Sequence, residues 1–284
     1  DYNGFKIVLG HHSFFGDKIT ELGKRAAAGL IKADGGHREA QSVFDDYIAR
    51  LVKQADFGAL SIVWDAGNGA AGPATEAMLA ALLDNGGALG THKTLYCDID
   101  GHFPNHHPNP VDPETLESLR EQVAALGADC GIGFDGDGDR IGLVDSKGRQ
   151  IAGDILTAFL ATDILTRNPR ADIIFDVKSS ALAMQIVRDA GGTPHLWKTG
   201  HSHMKQKLYE SGAPLAGEMS GHIFIADGDY GFDDALYVAS RLVTQIAKHT
   251  AETGISITDF MDNLPKTFTT PEYRIDCPDT EKFG

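Results

Sequence analysis

The sequence contains an unusual acidic stretch, which reads Asp135-Gly136-Asp137-Gly138-Asp139-Arg140. Small and apolar residues precede it at 128–134, and the apolar run Ile141–Val144 follows it, which predicts two buried strands joined by this loop. Carboxylates this close together repel one another unless a cation or protons neutralise them. The stretch therefore predicts a metal-binding loop between two neighbouring strands of an α/β fold.

The ligand types in this loop favour a hard divalent cation. Asp135, Asp137 and Asp139 offer only oxygen, which suits Mg²⁺ or Ca²⁺, and the intervening glycines permit the backbone turns that bring them together. An EF-hand is excluded, because Arg140 and Ser146 stand where its glycine and glutamate would be. Three protein ligands leave room for a phosphate oxygen, as in phosphoryl-transfer sites. The alternative, a solvated acidic turn, is disfavoured by the arginine and the apolar flanks.

Length and composition indicate an ordinary globular protein with two domains. The chain has 284 residues, of which 42% are hydrophobic and 23% charged. The net charge of −15 argues against a nucleic-acid partner but permits a small phosphorylated ligand held by local cations. The three cysteines form no CxxC pair, and no signal peptide or apolar run of ~18 residues is evident. We therefore expect a cytoplasmic location and no membrane partner.

Alternating strand and helix patterns predict two successive α/β units with mixed sheets and helices on both faces. Strand patterns occur at Leu60–Asp65 and Asp172–Val177, and each is followed by a helical pattern, the second of which is predicted to begin at Ser179. Asp112, followed by proline, predicts a helix start, and Gly127 predicts the end of that helix. The pattern predicts parallel strands with crossover helices.

Six further stretches, together with the metal loop, resemble motifs of the α-D-phosphohexomutase family, in particular its phosphomannomutase/phosphoglucomutase branch. In chain order they are Tyr2–Lys6, Asp65–Gly69, Phe103–Pro108, Asp176–Ser179, Lys198–Ser202 and Gly217–His222. The motifs occur in the family's order and cover essentially the whole chain. The set is specific, whereas none of its members except the metal loop is specific alone.

The resemblance implies four domains around a central cleft. Residues 1–38 would form the C-terminal tail of the first (phosphoserine) domain, 39–148 the second, 149–264 the third with a sugar-binding loop, and 265–284 the start of the fourth (phosphate-binding) domain. The expected fold class is therefore α/β, with two consecutive three-layer αβα domains with mixed sheets, flanked by partial first and fourth domains. The family's phosphoserine would lie upstream of Asp1, so we expect this chain alone to be inactive and to hold its metal weakly.

The resemblance also implies a reaction. A phosphoserine gives its phosphoryl group to a sugar phosphate, the resulting hexose 1,6-bisphosphate reorients, and its other phosphate returns to the serine. Hexose 1-phosphate and hexose 6-phosphate are thereby interconverted, with the bisphosphate as intermediate and activator. One Mg²⁺ per chain, on Asp135, Asp137 and Asp139, would neutralise charge during transfer. The expected partner is a small-molecule phosphosugar, and the sequence sets no oligomeric state.

Three residues are implied to be catalytic. Lys6 and His222 resemble the family's proton-transfer groups, and His222 is also expected to contact the substrate. Arg140 would donate to the phosphate with its planar guanidinium. From the residues alone, Lys6 is also compatible with a surface lysine at a strand edge.

The remaining implied substrate contacts lie in the third unit. Glu218 and Ser220 are two residues apart and, in extended backbone, would face the same way and bind adjacent sugar hydroxyls. Gly200 is implied by the resemblance alone, whereas Lys178 and His201 also lie just after predicted strands, where open α/β sheets bind ligands. A polar hairpin turn is the alternative for the first pair, and an ordinary loop histidine is the alternative for His201.

Two clusters receive less favoured functional interpretations. His102, His106 and His107 could suggest zinc, but no acid or cysteine partner has suitable spacing. Asp233 and Asp234 precede a helical pattern, where acids complement the helix dipole, so we interpret both as a helix start.

Two other functions remain alternatives to the phosphomannomutase/phosphoglucomutase reaction. The first is a phosphoglucosamine mutase, which Met219 disfavours because glutamine is usual there. The second, for this chain alone, is a non-catalytic phosphosugar-binding or metal-binding module.

Overall fold

The computed structural model describes residues 6–10, 12–29, 35–86, 89–267 and 277–278. The strands are Val8–Leu9 (β1), His12–Ser13 (β2), Ile62–Asp65 (β3), His92–Leu95 (β4), Cys130–Phe134 (β5), Ile141–Asp145 (β6), Gln150–Ile151 (β7), Asp172–Asp176 (β8), Thr193–Trp197 (β9), Leu215–Gly217 (β10) and Ile223–Ile225 (β11). The helices are Asp17–Ala27 (α1), Phe44–Val52 (α2), Ala71–Asp84 (α3), Glu117–Leu126 (α4), Gly153–Arg167 (α5), Ala181–Asp189 (α6), His201–Ser211 (α7), Ala235–Thr253 (α8) and Ile257–Asn263 (α9). Most of the motif Tyr2–Lys6 and of the expected fourth-domain segment lies outside the described residues.

The first large sheet has the strand order β4-β3-β5-β6-β7. Strand β3 pairs in parallel with β4 and β5, whereas β5, β6 and β7 are antiparallel neighbours. The metal loop is the connection from β5 to β6, so the predicted strand–loop–strand arrangement is confirmed. The last strand, β7, still belongs to this sheet although it lies beyond residue 148.

The second large sheet has the strand order β11-β10-β8-β9. Strand β8 pairs in parallel with β9 and β10, and β11 adds an antiparallel edge. Both sheets are therefore mixed, as predicted. The carboxyl ends of the parallel strands carry the loops in which ligands of such sheets usually bind.

Alternate residues of the central strands face different helical layers. Val63 packs with Leu119 of α4 in one apolar cluster, whereas Ile62 and Trp64 belong to another cluster that includes Met78 of α3. All five side chains are fully buried, and burying a side chain of this size stabilises the fold by about 1.5–3 kcal/mol. The three-layer αβα arrangement follows from this alternation.

Helix α8 joins the two units into one continuous core. Its Val243 lies in the same apolar cluster as Leu51 of α2. The Ser240 hydroxyl donates to the Leu51 carbonyl at 2.7 Å, and the Asp56 amide donates to the Thr244 hydroxyl at 3.1 Å. These contacts hold the two sheets in a fixed relation. Within the described part of the chain, no helix combines the length and the apolar character that crossing a membrane requires.

Two predicted helix boundaries are confirmed and one is wrong. Asp112 caps the 3₁₀ turn that leads into α4, and Gly127 ends that helix in the left-handed conformation with φ 65°. The second-unit helix α6 does not begin at Ser179, because the hydroxyl of Ser180 accepts from the Ala183 amide and forms the cap. The Ser179 hydroxyl instead donates to Asp176.

Candidate active site

Asp135 organises the metal loop from within. Its side chain is buried at the end of β5, and its Oδ1 accepts from the backbone amides of Gly138, Asp139 and Arg140 at 3.1, 3.0 and 3.0 Å. Its Oδ2 accepts from Arg140 Nε at 2.7 Å. Gly138 has φ +77°, a conformation that side chains rarely adopt, and thereby lets the loop close around this carboxylate. The short glycine-rich sequence thus folds into a fixed turn.

The three carboxylates of the loop can share one cation. One oxygen from each of Asp135, Asp137 and Asp139 lies within 4.8 Å of the others. The side chain of Asp137 is 65% exposed, whereas that of Asp139 is only 12% exposed. Hard oxygen donors that converge from one loop, with one of them open to the cleft, fit Mg²⁺ with further ligands from solvent or phosphate.

Arg140 has protein partners for two of its donors. Nε binds Asp135, and Nη1 donates to Asn109 Oδ1 at 3.0 Å. The guanidinium therefore supports the loop in this structure, and the phosphate contact inferred from the resemblance stays a prediction.

Backbone hydrogen bonds connect the metal loop to the second large sheet and to α8. The Ala235 amide donates to the Gly138 carbonyl at 3.1 Å, and the Ile141 amide donates to the Gly221 carbonyl at 3.1 Å. The metal loop and the loop that carries Glu218 and Ser220 are thus direct neighbours. The two loops are therefore adjacent, although they belong to different sheets.

The cleft has a volume of about 570 Å³. Its lining comprises Lys6, Tyr47, Ala70, Ala71, Ala74, Asp137, Gly138, Asp139, Asp233, Asp234 and Leu236. The Lys6 ammonium contacts Asp139 Oδ2 and lies 3.7 Å from Asp137 Oδ2 and 3.7 Å from Asp233 Oδ2. Its side chain is 44% exposed and faces the acidic cleft.

Asp233 is a cleft residue that the sequence interpretation assigned to a helix start. Asp234 alone forms the α8 cap, because its side chain accepts from the Tyr237 amide at 3.0 Å. Asp233 accepts from Lys205 Nζ at 2.8 Å, and its side chain is only 5% exposed. Only one of two adjacent acids can be the N-cap, and that constraint could have indicated a separate role for the other.

The Asp233 carboxylate is surrounded by cations and imidazoles. Its Oδ2 lies 3.5 Å from His222 Nδ1 and 3.7 Å from His201 Nδ1. Burial alone would raise the pKa of Asp233, but the interactions with His222 and Lys205 outweigh it and hold that pKa well below its usual range. Asp233 therefore remains an anion, and its hydrogen bond with Lys205 holds that side chain in the cluster.

The two histidines stack on one another beside the metal loop. The ring centroids of His201 and His222 lie 5.7 Å apart, and His222 Nδ1 is 3.7 Å from Asp139 Oδ1. Burial, with the charge of Lys205, lowers the pKa of His201, so this imidazole is neutral at pH 7. One oxygen or nitrogen from each of Asp139, His222 and Asp233 lies within 4.8 Å of the others, so these three groups face the same point.

Glu218 holds the predicted sugar loop in place. Its side chain is buried, with Oε1 accepting from the Gly200 amide at 2.7 Å and Oε2 accepting from the Ser220 hydroxyl at 3.0 Å. Three of the predicted substrate-binding residues are therefore brought together by direct hydrogen bonds. Lys178 is exposed in the turn after β8. None of the predicted substrate-binding residues is among the described residues that line the cleft.

Asp176 connects three of the motifs that carry the resemblance through hydrogen bonds. The sequence alone indicated no role for it. Its buried carboxylate accepts from the Ser179 hydroxyl at 2.7 Å, the Thr199 hydroxyl at 3.1 Å and the Met219 amide at 3.3 Å. An aspartate at the end of a buried strand, followed by polar loops, was the available signal.

Comparison with known families places these features in a wider group. Residues 45–148 match the model of phosphoglucomutase/phosphomannomutase α/β/α domain II, and residues 152–268 match that of domain III. A phosphomannomutase/phosphoglucomutase of Pseudomonas putida is 41% identical over 286 aligned residues, which cover 100% of this chain and 59% of that protein. The chain thus spans about three-fifths of the curated relatives it matches.

Two solved structures extend the comparison. A phosphoglucomutase/phosphomannomutase family protein of Burkholderia thailandensis has a TM-score of 0.86 and 42% identity, covering 94% of this chain and 56% of that one. The Aspergillus fumigatus N-acetylphosphoglucosamine mutase, solved with GlcNAc-6P and magnesium, has a TM-score of 0.57 and 15% identity, covering 78% of this chain and 52% of that one. The second likeness shows the fold alone.

Proposed function

The chain belongs to the phosphoglucomutase/phosphomannomutase family, and we propose that it serves the reversible interconversion of hexose 1-phosphates and hexose 6-phosphates. The reaction would use a phosphoserine and a hexose 1,6-bisphosphate intermediate. The observation that carries the proposal is that Lys6 and His222 both lie beside Asp139 of the three-aspartate loop. In this assignment 39–148 and 149–264 act as second and third domains, between parts of the first and fourth.

We assign the metal position to Asp135, Asp137 and Asp139. Bound there, Mg²⁺ would neutralise the charge of a phosphoryl group during transfer. The fit of the three oxygens supports this assignment, and so does the magnesium in the Aspergillus neighbour, which shares the fold. The GlcNAc-6P in that neighbour supports a phosphosugar as the ligand class.

His222 and Lys6 are the groups proposed to move protons. When one ring nitrogen of an imidazole faces a carboxylate, that contact favours one orientation of the ring. The other nitrogen can then exchange a proton with a substrate oxygen. Asp233 provides that carboxylate, at 3.5 Å from His222 Nδ1. The Lys6 ammonium contacts Asp139 in this structure. A bound substrate would separate the two groups, and the ammonium would then donate a proton to a substrate oxygen.

The substrate groups proposed in the third domain are Lys178, Gly200, His201, Glu218 and Ser220. Glu218 already accepts one protein hydrogen bond on each oxygen, and each oxygen retains a further lone pair for a sugar hydroxyl. Its bonds to Gly200 and Ser220 hold the carboxylate in one orientation before a sugar arrives. That preorganisation reduces the entropy lost on binding.

The test is a mutase assay of the full-length protein with glucose 1-phosphate and mannose 1-phosphate, activated by a hexose 1,6-bisphosphate. We expect turnover of at least one of them, and loss of that turnover in Asp137→Asn. Glucosamine 1-phosphate as a third substrate tests the phosphoglucosamine alternative. Preference for that sugar would redirect the assignment, and full activity of Asp137→Asn would overturn the metal role.

Glu218→Ala separates the sugar site from the metal site. It should lower turnover while Mg²⁺ affinity is retained, because Glu218 bonds to the sugar loop and not to the metal loop. Loss of the metal in this variant would contradict the division of roles.

A further inference from the structure

We propose that the segment Phe103–Pro110 is a clamp that positions the metal loop from outside, and that His106 anchors this clamp. The inference rests on the metal site proposed above and gives a role to a histidine-rich motif that the reaction does not use. His106 and its partner Asp65 touch neither the cleft nor any of the three metal-loop aspartates among the described contacts. They are therefore positioning residues.

His106 is fastened at both ring nitrogens. Nε2 lies 3.0 Å from Asp65 Oδ2 and 3.2 Å from Asp65 Oδ1, and Nδ1 lies 3.0 Å from the His107 carbonyl. Asp65 is buried at the end of β3, where its Oδ1 also accepts from the Gly67 amide at 2.9 Å. Its hydrogen bond with Asp65 raises the pKa of His106. Motif spacing does not reveal this acid partner, because Asp65 is distant from His106 along the chain.

The clamp packs directly against the metal loop. A Cβ built on Gly136 would lie 3.2 Å from Phe103 Cζ and 3.3 Å from Pro108 Cγ, so both rings cover this backbone. Further along, a Cβ on Gly142 would lie 2.3 Å from the Pro110 carbonyl oxygen, a distance that excludes any side chain there. The clamp therefore restricts the loop at its first turn and in the strand that leaves it.

A polar link runs from the clamp to the first metal ligand. Asn109 Oδ1 accepts from Arg140 Nη1 at 3.0 Å, and Arg140 Nε donates to Asp135 Oδ2 at 2.7 Å. Asp65, through His106, thus holds the clamp at one point, and Asn109 connects it to Asp135 at another.

The physical consequence concerns Asp137. Its side chain is 65% exposed, so its place is set by the backbone of Gly136 and Gly138 rather than by packing of its own. Releasing the clamp should let that backbone move, and groups that support a metal site from outside typically change affinity by about 10–100-fold. The loss should occur although every ligand is retained.

The experiment is a titration of the chain with Mn²⁺ as the probe, followed by electron paramagnetic resonance. We expect His106→Ala to bind Mn²⁺ about 10-fold or more weakly than the wild type. His106→Gln, whose amide nitrogen can reach Asp65, should recover most of the affinity. His102→Ala is the matched control, because His102 is exposed, precedes the clamp and should leave binding unchanged.

Unfolding of each variant is measured in parallel by circular dichroism. If His106→Ala does not fold, Asn109→Ala replaces it, since that change breaks only the link to Arg140 and should also weaken Mn²⁺ binding. Wild-type affinity in a folded His106→Ala or Asn109→Ala variant would overturn the clamp. Equal Mn²⁺ binding by the wild type and Asp137→Asn would instead overturn the metal site, and the clamp with it.

Discussion

The metal loop and the cluster around Asp233 border one cleft but are held in different ways. Asp135 receives four hydrogen bonds, all from residues no more than five positions further along the chain. Asp233 instead meets groups from separate segments, namely Lys6, His201, Lys205 and His222. One half of the site is therefore a local structure, whereas the other half exists only in the folded protein.

The largest effect on stability is expected in the metal loop, where substitutions of Asp135 and of Asp137 should differ. Asp135→Ala leaves Arg140 Nε and the backbone amides of Asp139 and Arg140 without their acceptor, and should lower the free energy of unfolding by about 3–5 kcal/mol. Asp137→Ala should change it by less than about 0.5 kcal/mol, because that side chain is exposed. Urea unfolding measures both. Equal stability of the two variants would show that Asp135 does not organise the loop.

The next prediction tests whether Asp233 and Lys205, which belong to the long-range half of the site, are energetically coupled. Asp233→Ala leaves Lys205, whose side chain is only 15% exposed, without its carboxylate, and should cost about 1–3 kcal/mol. In a double-mutant cycle with Lys205→Ala, we expect a coupling energy of about 0.5–3 kcal/mol. The exposed pair Asp163–Lys248 is the control and should give about 0–1 kcal/mol. Additive changes in the free energy of unfolding for Asp233→Ala and Lys205→Ala would show that the two side chains are not coupled.

A smaller effect is expected at Asp227, whose hydrogen bonds hold the loop between β11 and α8 that carries Asp233. Asp227 accepts from Arg167 at 2.6 Å, and from Asn168 and Arg241 at 2.9 and 3.1 Å. Burial alone would raise the pKa of Asp227, but these bonds outweigh it and lower that pKa. The Asp227 carboxylate therefore stabilises the fold at pH values above its unfolded-state pKa of about 3.9. This stabilisation is lost as the pH falls through the lower folded-state pKa.

Asp227→Asn should accordingly be less stable than the wild type at pH 7, by about 1 kcal/mol. The difference between the two proteins should shrink as the pH falls below about 4, because the carboxyl of Asp227 becomes protonated first in the unfolded state and then, at lower pH, in the folded state. Urea unfolding at several pH values measures this. A difference that does not change with pH would show that the charge of Asp227 does not matter.

The smallest expected effect on stability comes from Lys6, which bridges the two halves. Lys6→Met should change the free energy of unfolding by less than about 0.5 kcal/mol, because the side chain is 44% exposed. It should nevertheless tighten Mg²⁺ binding to the chain, since the ammonium on Asp139 no longer competes with the metal. Isothermal titration calorimetry gives the sign. Weaker Mg²⁺ binding would mean that Lys6 supports the site instead.

The sequence predicted the local half of the site because its physics is local. Three acids separated by glycines between two apolar runs indicate a metal loop, and Asp135, Asp137 and Asp139 do converge. The helix signals at Asp112 and Gly127 were predicted for the same reason, since each depends on residues within a few positions.

The long-range contacts were not predicted from the sequence. Asp233 was interpreted as part of a helix start because it precedes α8, and only the fold shows that Asp234 forms the cap whereas Asp233 bonds to Lys205. Asp65 and His106 are far apart along the chain, and so are Asp176 and Met219. Pairings of this kind depend on which strands become neighbours, which single-residue patterns do not encode.

The most direct test of the central claim, that Asp135, Asp137 and Asp139 form one metal site, is a Mg²⁺ titration of the wild-type chain and of Asp137→Asn by calorimetry, extended to millimolar concentrations. We predict one Mg²⁺ per wild-type chain, and loss of that binding in a variant whose free energy of unfolding is unchanged. Equal affinity and stoichiometry in the two proteins would contradict the claim.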